Sequence, residues 1–311
     1  MQASLILGGN GPVGGYLARL LQARGQRVAC VADAAVTTPD ALTALGIAGE
    51  IEAIDAADAR RFVASGDVGT VFAVGSDDDI LSAIAASARP PRFINIVDAA
   101  ALRTSPAPRA LANRVADLRR DHGLHAANAI LHRHDSRLGG LDSMPAQVTL
   151  HAWRVARGLA TGTLELPETG ALDWGWTPEY VDAVARLAAL PQPIDIEIAS
   201  GHRLTTADFV RDAFGFFRTD PADHVRLLPG AATGDAIDPA STKAATGWSA
   251  STYGRDLVRA LAEGAAERGA VAEGAAKRGA VAEGAAKRGA VSKGAAERGA
   301  ASKGAAERGA V

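Results

Sequence analysis

Leu5-Ile6-Leu7-Gly8-Gly9-Asn10-Gly11-Pro12-Val13-Gly14 is an apolar run that breaks into glycines spaced three apart at positions 8, 11 and 14. Tyr16, Leu17, Leu20 and Leu21 then share one helical face, so the order reads strand, glycine turn, helix. Gly8, Gly11 and Gly14 suit a tight turn, a close backbone approach to a pyrophosphate, and packing of helix on strand. The helix N-terminus adds free N–H groups and partial positive charge, which places Asn10, Pro12 and Val13 in the same phosphate-binding entry. Arg27 to Val31 reads as a second strand, and Asp33 follows where a carboxylate grips a ribose hydroxyl.

The chain has 311 residues, 48% of them apolar, which allows one large domain or two unequal ones. A net charge of −2 argues for neither nucleic acid nor an anionic membrane as partner. Cys30 is the only cysteine, so no disulfide framework or cysteine-built metal site is expected, and a reducing compartment is natural. No basic leader precedes the first strand and no window offers ~18 uninterrupted apolar residues. The expectation is a cytoplasmic protein.

Ile51 to Asp55, Thr70 to Val74, Arg92 to Val97 and Ala126 to Leu131 read as further strands, separated by helical stretches near 57–65, 77–88 and 106–122. This alternation predicts an α/β Rossmann fold, a doubly wound parallel sheet, over residues 1–134. Ligands of such sheets lie beyond the carboxyl ends of the strands. That rule selects Asp33, Asp55, Val74-Gly75-Ser76, Asp98 and the segment from His132 to Asp135. Asp55 is placed near an adenine and the 74–76 turn near a nicotinamide ribose.

From Ala262 a ten-residue unit repeats five times, and its only bulky apolar side chains are Val271, Val281, Val291 and Val311. Two glycines per unit, each costing about 1 kcal/mol in a helix, predict a flexible low-complexity tail over 262–311.

The later half carries a resemblance. His132-Arg133-His134-Asp135-Ser136-Arg137-Leu138-Gly139, Asp173-Trp174-Gly175-Trp176 with Tyr180-Val181, Ile198-Ala199-Ser200-Gly201 with Phe209-Val210, and Asp238-Pro239-Ala240-Ser241-Thr242-Lys243 with Thr246-Gly247-Trp248 follow one another in order. Together with the Gly8, Gly11 and Gly14 spacing, they resemble the extended short-chain dehydrogenase/reductases over about residues 3–261. The branch is that of the GDP-mannose 4,6-dehydratases. The resemblance implies a smaller substrate-binding domain over 135–261, some segments of which return to the Rossmann core. It also implies a cleft between the two parts.

The departures matter as much. That family uses a Thr or Ser after strand five and a Tyr-x-x-x-Lys on the next helix, where the lysine lowers the tyrosine pKa. Here Tyr16, Tyr180 and Tyr253 are the only tyrosines, followed four places on by Leu20, Val184 and Leu257. Every lysine except Lys243 lies in the repeats. The family's Thr and Glu positions read Asp98 and Ala100, and its Tyr/Lys region reads Thr104-Ser105-Pro106-Ala107-Pro108.

Hydride transfer needs a held nicotinamide and an oriented carbonyl, and general acid catalysis adds about 10²–10⁴-fold. A ketone flanked by its own phenol can supply that proton. The expected activity is therefore NAD(P)H-dependent reduction of an aromatic polyketide ketone. A weaker resemblance, to the atypical ketoreductases that tailor angucyclinone antibiotics, implies the same. The alternatives are a non-catalytic NAD(P) sensor and a sugar-nucleotide enzyme with relocated acid and base groups.

Asp98, Thr104, Ser105 and His132 are the candidate catalytic residues, and His132 also a cofactor contact. His132 and His134 lie two apart and share a side of an extended segment, so either is a candidate acid. His134, Trp153, Trp174 and Trp176 are candidate substrate contacts, offering flat faces to fused rings. Asp33 favours NADH and the resemblance favours NADPH, with Arg60 or Arg61 as candidates to meet a 2′-phosphate; NADPH is the expectation. No metal site is expected. A homodimer through the helices near 77–88 and 106–122 follows by analogy alone.

Overall fold

The computed structural model describes residues 2–36, 40–75, 78–140, 142–230 and 237–273. Seven strands form one parallel sheet: β1 (Ala3–Leu7), β2 (Val28–Val31), β3 (Glu52–Ala53), β4 (Val68–Val74), β5 (Arg92–Asp98), β6 (Ala126–Leu131) and β7 (Ile196–Ile198). Their order across the sheet is β7-β6-β5-β4-β1-β2-β3. All seven are parallel, with Leu5 of β1 level with Ala29 of β2 and Val71 of β4. This is the doubly wound Rossmann arrangement that the alternation of patterns predicts.

Side-chain alternation along the strands divides the core between the sheet's two faces. Ile6, Phe72, Ile94 and Ile96 enter one core with Leu17 and Leu21 of α1 (Pro12–Ala23). Leu5, Val71, Ala73 and Phe93 enter the other. After α2 (Ala41–Ala44), the second core is covered by α3 (Ala56–Ser65) and α4 (Asp78–Ala85). A short α5 (Ala99–Thr104) leads into α6 (Pro106–His122), which joins that cover through Leu111 and Val115.

Beyond β6 the chain builds a third cluster. Val148 and Ala152 of α7 (Met144–Ala156) pack with Leu166, Leu172 and Trp174. The next helix, α8 (Thr177–Ala189), turns back to the sheet and packs Tyr180, Val184 and Leu187 into the first core, after which β7 joins β6. Phe209 and Phe214 of α9 (Thr206–Phe216) return to the third cluster, while α10 (Ala240–Thr246) seats Thr242 on the Glu197 carbonyl.

One compact unit ends at Ala265, and a second begins at Ala266. Residues 254–273 are helical, so the expected flexible tail does not begin at Ala262. Ala262 and Ala265 are fully buried, Glu263 pairs with Arg137 at 2.7 Å, and a Cβ at Gly264 would lie 2.7 Å from Arg137 Cγ. Small residues order this turn by letting it lie close to its neighbours, an effect that a count of bulky side chains overlooks. The repeats over 274–311 lie outside the described residues. Among the described residues no helix is long and apolar enough to cross a membrane.

A chain ending at Leu261 is expected to melt below one ending at Glu273, by about 1–2 kcal/mol or roughly 2–8 °C. Calorimetry giving equal melting temperatures would contradict the packing role assigned to this turn.

Candidate functional site

The glycine turn is built by exclusion of side chains. Gly8 adopts φ +77°, and a Cβ there would lie 2.8 Å from the Val74 carbonyl oxygen. At Gly14 a Cβ would fall 2.2 Å from the Gly8 oxygen, so only glycine lets α1 start this close to β1. Gly9 lies against Cys30, whose thiol is pushed up to about 12 by burial and then by Asp40. Gly11 differs: its missing Cβ would meet nothing nearer than 3.6 Å. Packing does not demand glycine there, whereas a ligand approaching the backbone would.

Gly11 caps α1 without a side-chain hydrogen bond, Pro12 stands at the helix start, and no acidic residue occupies the first turn. The amides of Val13 and Gly14 precede the first intrahelical hydrogen bonds, leaving positive potential for an anion. The Asn10 side chain clamps Asp33, donating to its carbonyl at 2.9 Å and accepting from its amide at 2.7 Å. Asp33, the residue expected to meet a ribose, is thus held beside the glycine turn. Asp33 Oδ1 accepts from the Ala35 amide at 2.8 Å. These residues fit a dinucleotide.

A cavity of about 250 Å³ opens at the carboxyl ends of β4, β5 and β6. Val13, Val74, Gly75, Ile96, Val97 and Leu131 form much of its floor, and Ala101, Pro108 and Leu111 close a side. The helix on which the family resemblance would place a tyrosine and a lysine therefore offers Pro108 and Leu111. No tyrosine, lysine, serine or threonine stands among these lining residues.

Among the described residues three polar side chains reach the wall: Asn95, Asp98 and His134. Asn95 donates to Asn128 at 2.8 Å, and Asn128 in turn donates to Asp195 at 3.2 Å, which Arg119 holds at 2.6 Å. Asp98 is exposed and caps α5, accepting from the Ala101 amide at 2.8 Å. A role for Asp98 as an acid required burial to keep it protonated, and exposure removes that condition.

His134 pairs along a short parallel bridge with Gly175, its Nδ1 lies 2.9 Å from Thr177 Oγ1, and its ring stands 5.5 Å from that of Tyr180. Desolvation pushes its imidazole down to about 4, against a weaker upward pull from Asp98. The ring is neutral near pH 7 and is not the near-neutral acid expected from sequence. Tyr180, the phenol behind it, is fully buried. Burial and then Asp173 push it well above its ordinary value, and its hydroxyl, turned toward the Ser200 backbone, makes no hydrogen bond of standard geometry.

Several expected residues stand elsewhere. His132 is not a lining residue: its Nε2 pairs with Glu197 at 2.8 Å. The expectation that it shares a side with His134 fails because β6 ends at Leu131 and strand alternation lapses before His134. Thr104 is exposed and donates to the Ala100 carbonyl at 2.9 Å, and Ser105 links α5 to α6. Asp55 caps α3 by accepting from the Asp58 amide at 2.7 Å. Trp174 and Trp153 are 8% exposed, and Trp176 packs at the edge of the third cluster, so none of the three faces the cavity. Ser76 lies outside the described residues. Among those residues, no group of three or more His, Cys, Asp or Glu is placed to hold a metal ion. Sequence reasoning missed Asn95, whose signal is a lone polar residue in an apolar strand, and Thr177, which carries none.

No family model matches the chain. Over 109 residues it is 28% identical to GDP-mannose 4,6 dehydratase 1 of Arabidopsis thaliana, covering 35% of this chain and 30% of that one. Over 100 residues it is 32% identical to GDP-mannose 4,6-dehydratase sdnI of Sordaria araneosa, covering 32% and 18%. The chain thus spans less than a third of the length of these curated relatives. Among solved structures, a UDP-glucose-4-epimerase from Stenotrophomonas maltophila with bound NAD superposes with a TM-score of 0.70 at 14% identity, over 87% of this chain and all of that one. An NAD-dependent NDP-hexosamine 5,6-dehydratase of tunicamycin biosynthesis gives 0.65 at 19% identity, over 85% and 97%. The sequence matches establish homology to GDP-mannose 4,6-dehydratases over about a third of the chain. The structural matches establish the fold.

Acid titration checks the state of His134. The unfolded chain binds a proton on this ring near 6.5 and the folded chain only near 4, so stability is full above pH 6.5 and declines as pH falls toward 4. The loss is on the order of 2–3 kcal/mol and should shrink in a His134→Gln variant in denaturant melts. An unaltered pH slope in the variant would show that the ring is not held neutral.

Proposed function

We propose that this chain is a nicotinamide-dependent reductase of a hydroxyaryl ketone, of the aromatic polyketide type, that works without a tyrosine–lysine pair. The observation that carries the reading is the apolar wall of Ala101, Pro108 and Leu111 over the carboxyl ends of β4 to β6. Sugar hydroxyls buried there would lose hydrogen bonds with water and find few partners, whereas fused aromatic rings gain from the contact.

The turn from Gly8 to Gly14 and the α1 amides would hold the pyrophosphate, and Asp33 a ribose. When bound, the reduced nicotinamide supplies a hydride to the carbonyl carbon. The protein's residues orient the ketone and exclude water, and the substrate's own phenol delivers the proton to the developing alkoxide. Asp33 supports NADH over NADPH, since a carboxylate repels a 2′-phosphate. Arg60 lies 3.5 Å from Asp79 and Arg61 pairs with Asp58, so both cations already have acidic partners.

A second reading, modification of a sugar nucleotide, is favoured by the names of the relatives. Deuterium at C4 of the reduced cofactor separates the two. Transfer to the carbinol carbon of a hydroxyaryl ketone is expected, and conversion of GDP-mannose or a UDP-sugar with no such transfer would overturn the ketone reading.

Two glycines test the cofactor turn. Gly11→Val should weaken NADH binding at least ~100-fold by calorimetry, at a stability cost of about 1 kcal/mol for a valine at the helix cap. Gly14→Ala should instead cost about 1–3 kcal/mol of stability through its clash with the Gly8 carbonyl. Undiminished affinity in Gly11→Val would refute the phosphate-binding assignment.

A further inference from the structure

We infer that His134, in its Nε2–H form, donates the hydrogen bond that holds the reacting oxygen of the substrate, and that Thr177 sets this tautomer. The inference rests on the ketone-reduction reading and names the residue that stands in for the absent phenol.

The cavity wall leaves little choice of donor. Of the three polar side chains that line it among the described residues, Asp98 is a carboxylate engaged in capping α5, and Asn95 is only 1% exposed with one of its two amide hydrogens given to Asn128. His134 remains. Its Nδ1 faces Thr177 Oγ1 at 2.9 Å, and Thr177 is 1% exposed at the start of α8. No other hydrogen bond of this hydroxyl is found among the described residues. A buried hydroxyl hydrogen needs an acceptor, and Nδ1 is the one within reach. Thr177 therefore donates to Nδ1, and the ring proton resides on Nε2. His134 lines the cavity, and with Nδ1 engaged by Thr177, Nε2 is the ring nitrogen with no protein hydrogen bond among the described residues.

The imidazole is also fixed from behind. Tyr180 stands 5.5 Å from it, Trp248 stacks edge-on against Tyr180 at 5.8 Å, and the bare Gly175 lets the Tyr180 ring approach the backbone that bridges to His134. Asp98 is the charged group acting on the ring, and desolvation outweighs it, so the donor is uncharged. A neutral imidazole is a weak acid but a competent donor to a developing oxyanion. It keeps its proton throughout. The hydride adds to carbon, the π pair moves to oxygen, the substrate's phenol protonates that oxygen, and the resulting phenolate recovers a proton from water.

The test uses the full chain labelled with ¹⁵N-histidine, with His134 assigned by the signal lost in His134→Gln. Long-range ¹H–¹⁵N spectra should show the Nε2–H tautomer unchanged between pH 8 and 5.5, and the Nε2 line should shift on adding 2′-hydroxyacetophenone. Thr177→Val should convert the ring to a mixture of tautomers. An Nδ1–H tautomer, or a titration near pH 6.5, would overturn the inference. In turnover, His134→Phe should lower kcat about 100-fold with NADH affinity unchanged, and His134→Gln should recover much of it. Deuterium transfer undiminished in His134→Phe sinks the donor assignment and leaves ketone reduction standing. No transfer by the unaltered chain, with the tautomer as described, sinks ketone reduction and leaves the donor geometry standing.

Discussion

The approach of Gly14 to the Gly8 carbonyl is the constraint on which the site depends. With a Cβ-to-oxygen distance of 2.2 Å for any larger residue, α1 could not begin where β1 ends. Because it does begin there, its first amides lie at the carboxyl edge of the sheet and Val13 reaches the cavity. The same turn presents Asn10 to Asp33, so one short segment fixes the start of α1 and the position of Asp33 together. Gly11 alone in the turn is free of such packing, and its smallness has meaning only if something from outside approaches.

Polar groups near the cavity are spent on the frame. Asn95, Asn128, Asp195 and Arg119 form a chain that ties β5, β6 and α6 to the segment before β7. Asp195 is held below its usual range by Arg119 and by the Asn128 amide and side chain, which outweigh its burial. Asp98 is occupied at the start of α5. Such groups position the walls without contributing acid or base. Apart from Asp98 and His134, the lining that remains is largely apolar.

The fold was legible where the signals were repetitive. The apolar runs of β1, β4, β5 and β6 and the glycine turn were each readable to within a few residues, because a strand buried on both faces must be apolar throughout. The edge was not: Ile51 to Asp55 shortens to Glu52–Ala53, and β7 alternates Ile196, Glu197 and Ile198 over too few residues to declare itself. Of the residues that the strand-end rule selects, Val74, Gly75, Asp98 and His134 do line the cavity. His132 and the tryptophans mislead for a different reason. Histidine and tryptophan carry the same letters whether they face a ligand or a core, and only tertiary contacts such as the 2.8 Å pairing with Glu197 separate the cases. Gly264 and Ala265 mislead in the opposite sense, since small residues resemble linker until a neighbour is seen beside them.

Tyr180 shows how far the wall is committed to rigidity. A buried hydroxyl without a hydrogen bond costs about 1–3 kcal/mol, a penalty that phenylalanine would avoid. The ring nevertheless bridges His134 to Trp248 and fills the space that Gly175 leaves. Its phenol cannot replace a catalytic tyrosine, since burial and Asp173 raise it and it lies behind the imidazole rather than in the cavity. The Tyr180 ring instead packs against the His134 imidazole at 5.5 Å and limits its orientation. That arrangement suits a reaction in which the protein holds the oxygen and the substrate moves the proton.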